Sequence, residues 1–528
     1  MAHFNSRNPC LHSIAPPRRA RWPLSLLAAA ALLSACGGED NPAATPGSHA
    51  SGGQALAPAT PMSGTLAPEK DTSDAVPASQ PPAIDCDAQA NDTDARLLEC
   101  VTLAGVRAHQ TELMNIAKAH RGTRLAGTRG HLASLRYVQK LLTDAGYRVK
   151  VQRFQFPVPR VEASSLRMAG QVAGEEIPHL VLDYSGSAAL TAGVTPSAGP
   201  RGCAAPDYAG FPHGQIALVR RGGCELTDKV LAAVAAGAVG VVIHNDDDGP
   251  LSGQLTVQAP LDVPVVLVSK TVGEQLLQRP LLGAPLQLQT QTSRSLGTTY
   301  NLIAESTSGD PSYVTMAGAH LDSVRAGAGI NDNGSGVAAL LETARQMARV
   351  APKNRLRFAF WGAEEQGLIG STHYVRTLPA AERAKLGLYL NFDMIGSPNH
   401  VFELYGGDGS AGEQAVSSPL LSAKIVDVFE RFYADRGFAS RRVSSGARSD
   451  HKPFADIGVP FGGIFTGAEQ IKTAEDAKTW GGTAGEPYDA CYHRACDTLD
   501  NVNEEALDVN ADLVAHTLLF YAMQRLAP

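Results

Sequence analysis

The chain has 528 residues, 44% of them apolar and 18% charged, with a formal charge of −7. That length buries a large core and exceeds one ordinary domain, so two or three units are expected, and the composition excludes collagen, a coiled coil and a wholly disordered chain. An acidic balance without a basic block argues against nucleic acid as a partner, and eight cysteines are too sparse for a disulfide miniprotein.

Arg18, Arg19 and Arg21 precede an apolar stretch from about Pro23 to Ala35. This is a charged region followed by an apolar one too short to span a membrane. It ends Leu33-Ser34-Ala35-Cys36, which resembles the lipobox of bacterial lipoproteins. The resemblance implies removal of residues 1–35 and acylation of Cys36. It also implies a lipid-anchored protein on the periplasmic or surface face of the cell envelope, or one released from there. The plainer alternative is a secretory signal with a coincidental cysteine; both readings export the chain. Removal of residues 1–35 takes away four arginines and no acid, moving the charge from −7 to −11. Residues 36–90 are rich in Pro, Ala, Ser, Gly and Thr without apolar periodicity, and read as a flexible tether.

From about Asp94 a helical pattern runs through Leu97, Leu98, Val101, Val106, Leu113 and Ile116, and a second helix is expected over about 130–145. A strand follows over Tyr147–Phe156, alternating around Val149, Val151 and Phe154. Residues 158–295 then change texture, with short β-like runs, Gly and Pro. They include Gly214–Cys224, an alanine-rich helix, and Gly240–Asn245; the apolar run Val230–Ile243 suits a buried helix leading into a strand. This segment resembles the protease-associated (PA) domain, a β-rich module inserted in several peptidase families. An insertion of that kind is expected to cover one edge of an active-site mouth and limit substrate size.

After Thr298 the pattern becomes α/β. Val314–Ala317, Leu356–Trp361 and Leu388–Phe392 are continuous apolar runs, as in strands buried on both faces, with helices over 336–349 and 419–436. A mixed, mostly parallel sheet flanked by helices is therefore expected. Ligands of such sheets bind beyond the carboxyl ends of the strands. The first strand ends near His320, with Asp322 two residues on and Asp332 in a Gly-rich loop before a helix. The second ends before Glu364 and Glu365, the third before Asp393, and His493 stands near the C-terminus. Singly, each has a dull explanation: a packed histidine, a helix cap, a solvated acid pair. Together they are two histidines and four carboxylates at strand ends and loops. Such carboxylates repel unless cations neutralise them, and imidazole with carboxylate suits zinc.

Gly318–Ser323, Gly329–Gly336, Trp361–Ser371, Asn391–Ser397, Gly446–Phe454 and Gly481–Asp497 carry a resemblance to the secreted bacterial double-zinc aminopeptidases of the Streptomyces and Vibrio leucyl-aminopeptidase type. It covers about Leu97–Phe156 and Thr298–Pro528, which divides the folded chain into 91–157, the insertion 158–295, and 296–528. The resemblance implies two zinc ions, one held by His320 and Asp393, the other by Glu365 and His493, with Asp332 bridging. Glu364 would be the general base on a water held between the metals, and Asp322 would orient the His320 imidazole. Tyr492 would hydrogen-bond the developing oxyanion. Glu364, Asp393 and the backbone around Arg448 would surround the ammonium of a peptide with a free N-terminus. Met394 and Phe465 would line an apolar pocket favouring a large first residue such as Leu. His451 is read equally as a lining or a packing residue.

Asp508 and Asp512 match acids that hold a stabilising calcium in that family, although the N-terminal acid completing the site corresponds here to about Cys100. Six cysteines fall into three local pairs, Cys86–Cys100, Cys203–Cys224 and Cys491–Cys496; export favours disulfides, and the last pair matches one in the resembled family. A monomer is expected. The rival readings are a carboxypeptidase or dipeptidase of the same clan, a glutaminyl cyclase with one working zinc, and a catalytically dead receptor-like shell.

Overall fold

The computed structural model describes residues 85–169, 176–199, 201–246, 248–249, 251–253, 255, 261–278, 283–407, 409, 419–444 and 448–524. The signal segment, Cys36 and most of the tether lie outside these residues. Three helices open the described chain: α1 (Asp94–Cys100), α2 (Leu103–Ala119) and α3 (Arg129–Asp144). The periodicity from Leu97 to Ile116 reads as one helical stretch, but the structure divides it at Val101 and Thr102. Thr93 and Thr102 each cap a separate start, their hydroxyls accepting from the N–H of Arg96 and of Gly105.

Strand β1 (Arg148–Met168) runs well past the expected Phe156. Among the described residues it pairs with β7 (Pro285–Glu305) and with no other strand, so it is an edge, the kind of strand in which Pro157 and Pro159 are tolerated. Between them the chain forms β2 (Leu180–Val181), β3 (Ala188–Pro196), β4 (Ile216–Arg220), α4 (Leu226–Ala235), β5 (Gly240–His244), β6 (Val265–Val268) and α5 (Lys270–Leu276). The run expected to be a helix feeding a strand is α4 leading into β5. Strands β3 to β6 are parallel neighbours around a core that includes Val219, Val230, Val241 and Leu267.

Beyond β7 come β8 (Asp310–His320), α6 (Gly334–Met347), β9 (Asn354–Trp361), α7 (Ile369–Thr377), α8 (Ala380–Arg383), β10 (Leu386–Phe392) and β11 (Glu403–Gly406). They are followed by α9 (Pro419–Asp435), β12 (Arg441–Arg442), α10 (Lys452–Asp456), β13 (Phe461–Phe465), α11 (Ala474–Trp480) and α12 (Glu504–Met523). The sheet order is β12-β11-β13-β10-β8-β9-β7-β3-β4-β5-β6-β2, with β1 on β7. The mixed, mostly parallel α/β architecture is thus the one the apolar runs predict, with the expected insertion between β1 and β7. Strand β7 joins the two parts: its Leu302–Glu305 end pairs with β9 and its Pro285–Thr290 end with β3. On the β1–β7 ribbon Pro157 faces Leu296 and Val158 faces Ser295, so the two expected junctions lie opposite each other.

What positions the site is the parallel set β8, β9, β10 and β13, whose carboxyl ends share one edge. Strand β9 is buried along its whole length. Close packing under that edge requires Gly318: a Cβ there would stand 2.4 Å from the Tyr389 hydroxyl and 2.6 Å from Trp361 Nε1. Among the described residues no helix is long and apolar enough to cross a membrane.

Candidate metal centre and active site

His320 is the last residue of β8, Asp393 follows β10 directly, and Glu364 and Glu365 lie in the turn after β9. Asp332 sits in the loop that enters α6, and the peptide bond after it, Asp332–Asn333, is cis. His493 belongs to the loop closed by the Cys491–Cys496 disulfide; Cys86–Cys100 and Cys203–Cys224 are also formed, so all three local pairs are bridged. Six non-glycine residues among those described have left-handed backbone, and Ala363, Leu368, Met394 and His493 of these lie in the site loops. Such conformations cost free energy and persist where surrounding structure imposes them.

The geometry divides around Asp332. Its Oδ1 lies 3.1 Å from His320 Nε2 and its Oδ2 lies 3.1 Å from His493 Nε2. His320 Nε2 is also 3.2 Å from Asp393 Oδ1, and His493 Nε2 is 3.1 Å from Glu365 Oε2. Ligand atoms of His320, Glu364 and Asp393, and of His320, Asp332 and Glu365, gather within 4.8 Å of one another. All five residues expected to ligate, with Glu364, are therefore brought together. Asp322 differs in detail from its expected part. The oxygen nearest His320 Nδ1 is the Asp322 backbone carbonyl at 3.2 Å, while its carboxylate stands 3.9 Å away and accepts from the Glu364 N–H.

Burial and crowding dominate the electrostatics. Burial pushes the Glu364 carboxyl well above the usual range, and the charges of Asp450, Asp393 and Glu365 add to the effect. Burial likewise lifts Glu365 to about 7 and Asp450 to about 7. Burial pulls the two imidazoles down, but the acids around them win and hold His320 and His493 well above the ordinary histidine value. Asp332 is also buried, yet the two imidazole hydrogen bonds keep it well below the usual range. The residues fit zinc: the donors are imidazole nitrogen and carboxylate oxygen, and one carboxylate turns separate oxygens to two imidazoles.

Supports that the sequence reading missed hold these loops. Asp497 accepts from the backbone N–H of Asn331 at 2.8 Å and of Asp332 at 3.0 Å, and Asp489 accepts from Asn331 Nδ2 at 2.7 Å. The fully buried Arg124, whose burial lowers its pKa to about 10, donates to the carbonyls of Leu321, Ala328 (2.8 Å) and Gly329 (2.6 Å). Ser449 donates to Asp393 Oδ2 at 2.6 Å. Asp497 ends a quoted motif and Ser449 lies in another, so proximity to motif residues was the one available signal; Arg124 had none.

A cavity of about 540 Å³ opens on this cluster. Met394, Phe465, Tyr405 and Val443 give it an apolar side, and Glu225, Thr227, Asp228 and Leu231 from the insertion form another wall. His451 also lines it, its imidazole packed 4.9 Å from the Phe461 ring and lowered to about 3 by burial. Both arginines lining the cavity are committed to carboxylates: Arg441 to Glu403 and Asp476, and Arg448 to Glu225 and Glu469. Residues 445–447 lie outside the described residues. Tyr492, stacked on the His493 ring at 3.8 Å, donates its hydroxyl to Glu225 Oε1 at 2.6 Å. Asp508 and Asp512 stand on α12, apart from this site. Asp512 is raised to about 7 by burial, with repulsion from Asp508 and Asp94, while Cys100 is tied in its disulfide and offers no acid.

Residues 301–518 match the model of peptidase family M28 and residues 187–276 that of the PA domain. An aminopeptidase of Pseudomonas aeruginosa is 42% identical over 440 residues, covering 80% of this chain and 81% of the relative. The "Probable lipoprotein aminopeptidase LpqL" of Mycobacterium tuberculosis is 40% identical over 434 residues, covering 80% and 85%. Among solved structures, the aminopeptidase from Aneurinibacillus sp. strain AM-1 superposes with a TM-score of 0.59 at 27% identity, covering 81% of this chain and 96% of that one. The zinc aminopeptidase BSAP from Bacillus subtilis gives 0.58 at 27%, covering 80% and 95%. The chain belongs to peptidase family M28 and carries a PA domain within the peptidase fold. It is an aminopeptidase of the zinc-dependent kind, in keeping with its donor set.

Replacing Asp497 by Ala strands two buried N–H groups under the Asp332 loop. Stability should fall by about 2–3 kcal/mol in urea denaturation. Zinc retention against a competing chelator should fall about 10- to 100-fold.

Proposed function

We propose that the protein removes the first residue from peptides with a free N-terminus through a centre of two zinc ions, favouring large hydrophobic first residues such as Leu. The observation that carries this reading is Asp332, whose two oxygens each stand 3.1 Å from a different imidazole. In this reading His320 and Asp393 would hold one ion, Glu365 and His493 the other, and Asp332 would serve both. Zinc, when bound, polarises the scissile carbonyl and lowers the pKa of water. Glu364 takes a proton from the attacking water and delivers it to the leaving amine. Tyr492 donates to the oxyanion, which a phenol does while neutral. Asp322 backs the His320 imidazole from behind. Glu364, Asp393 and the backbone around Arg448 accept the substrate ammonium, and Met394 and Phe465 receive the side chain. The commitment of Arg441 and Arg448 to acids leaves neither to bind a substrate carboxylate, which favours an aminopeptidase over a carboxypeptidase or dipeptidase.

Leucine p-nitroanilide should be cleaved and its N-acetyl form left intact; equal cleavage of the blocked substrate would overturn the reading. A zinc chelator should abolish turnover, and Glu364→Gln should lower kcat by about 10²- to 10⁴-fold.

The anchored location belongs to the same proposal, supported by the Cys36 lipobox and by a relative whose name describes a lipoprotein. Cells fed labelled palmitate should label the full chain and not Cys36→Ser, with the mature enzyme acting as a monomer. A calcium held by Asp508 and Asp512 should raise Tm on calcium addition, and Asp512→Asn should remove that rise.

A further inference from the structure

The PA insertion does more than wall the cavity. Glu225, the residue before α4, is buried at 8% exposure, and its Oε1 accepts both from the Tyr492 hydroxyl at 2.6 Å and from the Arg448 guanidinium. Both partners belong to the peptidase part, and both are residues the catalytic reading uses. The same Arg448 nitrogen also donates to Glu469 Oε1 at 3.2 Å. The ring of Tyr492 lies against that of His493, so the phenol oxygen is fixed by stacking at one end and by Glu225 at the other.

We propose that Glu225 is a positioning residue for the reaction: it sets the place of the Tyr492 oxygen, and through it the PA insertion completes the oxyanion site. The proposal rests on the reading of Tyr492 as the oxyanion donor. A phenol carries one proton, and here that proton is directed to Glu225. Turning it toward the substrate takes rotation about the C–O bond and gives up the hydrogen bond to Glu225, so Glu225 sets the oxygen's place in the free site and the ring's stacking on His493 keeps it there during the turn. Arg448 remains on the carboxylate and neutralises it while the hydroxyl is turned away. No covalent bond forms or breaks in this step. A donor displaced by about 1 Å forfeits much of its effect on rate, of the order of 10²-fold, so the constraint bears on kcat rather than on ground-state binding.

The test is a double-mutant cycle in the zinc-loaded full chain, with leucine p-nitroanilide as substrate. Glu225→Ala should lower kcat about 10-fold with KM within about 2-fold of wild type, the turnover loss being below the limit set by misplacement. Glu225→Gln, which keeps an acceptor oxygen for the phenol, should recover most of it. Tyr492→Phe should lower kcat by about 10²-fold or more, as loss of an oxyanion donor does. Adding Glu225→Ala to Tyr492→Phe should then cost nothing further. Calorimetry supplies a readout apart from turnover: Glu225→Ala should weaken a tetrahedral phosphonate analogue of leucine about 10-fold, in parallel with kcat, and leave leucine binding unchanged. Asp246→Ala removes a separate contact between the insertion and the peptidase, the 2.6 Å ion pair with Arg494, and should leave kcat unchanged. An additive cycle, an unchanged or raised kcat in Glu225→Ala, or an equal loss in Asp246→Ala would overturn the proposal while leaving the oxyanion reading in place. Wild-type turnover by Tyr492→Phe would remove that reading and the proposal with it.

Discussion

Four carboxylates and two imidazoles packed beside one another out of water are a constraint that the rest of this fold serves. Left to themselves the acids repel, and burial makes the repulsion stronger, which is why Glu364 and Glu365 are pushed upward while Asp332, shared between two imidazoles, is held down. Cations relieve that strain, and an imidazole–carboxylate set invites zinc. The acids must nevertheless be held in register before a cation arrives. The rigid part of that task falls to parallel strands buried on both faces, which fix the starting points of the loops after His320, Trp361 and Phe392.

The loops themselves are held by buried polar side chains that bond to their backbone. Arg124 fills three carbonyls of the loop after β8, and Asp497 takes two N–H groups of the loop that carries Asp332. A short disulfide loop brings His493 against the same carboxylate, so metal binding, loop order and the Cys491–Cys496 bridge are mechanically linked. The PA module is linked as well. Strand β7 runs from β9 into the insertion, and Gly223, Glu225 and Asp246 meet the peptidase at Glu469, Tyr492, Arg448 and Arg494. A module laid on continuous strands and pinned by a buried carboxylate is poorly placed to swing as a loose lid.

Much of the candidate site was legible from local pattern. Of the ligands expected from the motifs, His320, Glu365 and Asp393 are at or just beyond strand ends and Asp332 is in a Gly-rich loop, because an apolar run that stops at a polar residue marks where a buried strand meets its ligand edge, while His493 stands in the disulfide loop. The three disulfides were legible for a related reason: their partners are 14, 21 and 5 residues apart, so local chain geometry brings them together. Other features were not. The break between α1 and α2 depends on Thr102 capping a new start inside a sustained apolar period. The length of β1 depends on β7, more than a hundred residues later, offering it a partner through Met168.

The sequence by itself pointed to the α/β class, the insertion, the six residues that gather around Asp332 and the three local cysteine pairs, since each is written in contiguous motifs or short spacings. Only the tertiary structure decided what stands behind them. The Tyr492 hydroxyl meets Glu225 across 267 positions, and Arg124 reaches the carbonyl of Gly329 across 205. Contacts of that span arise from how layers pack, and no local periodicity or spacing records which distant polar group will fill a buried donor or acceptor.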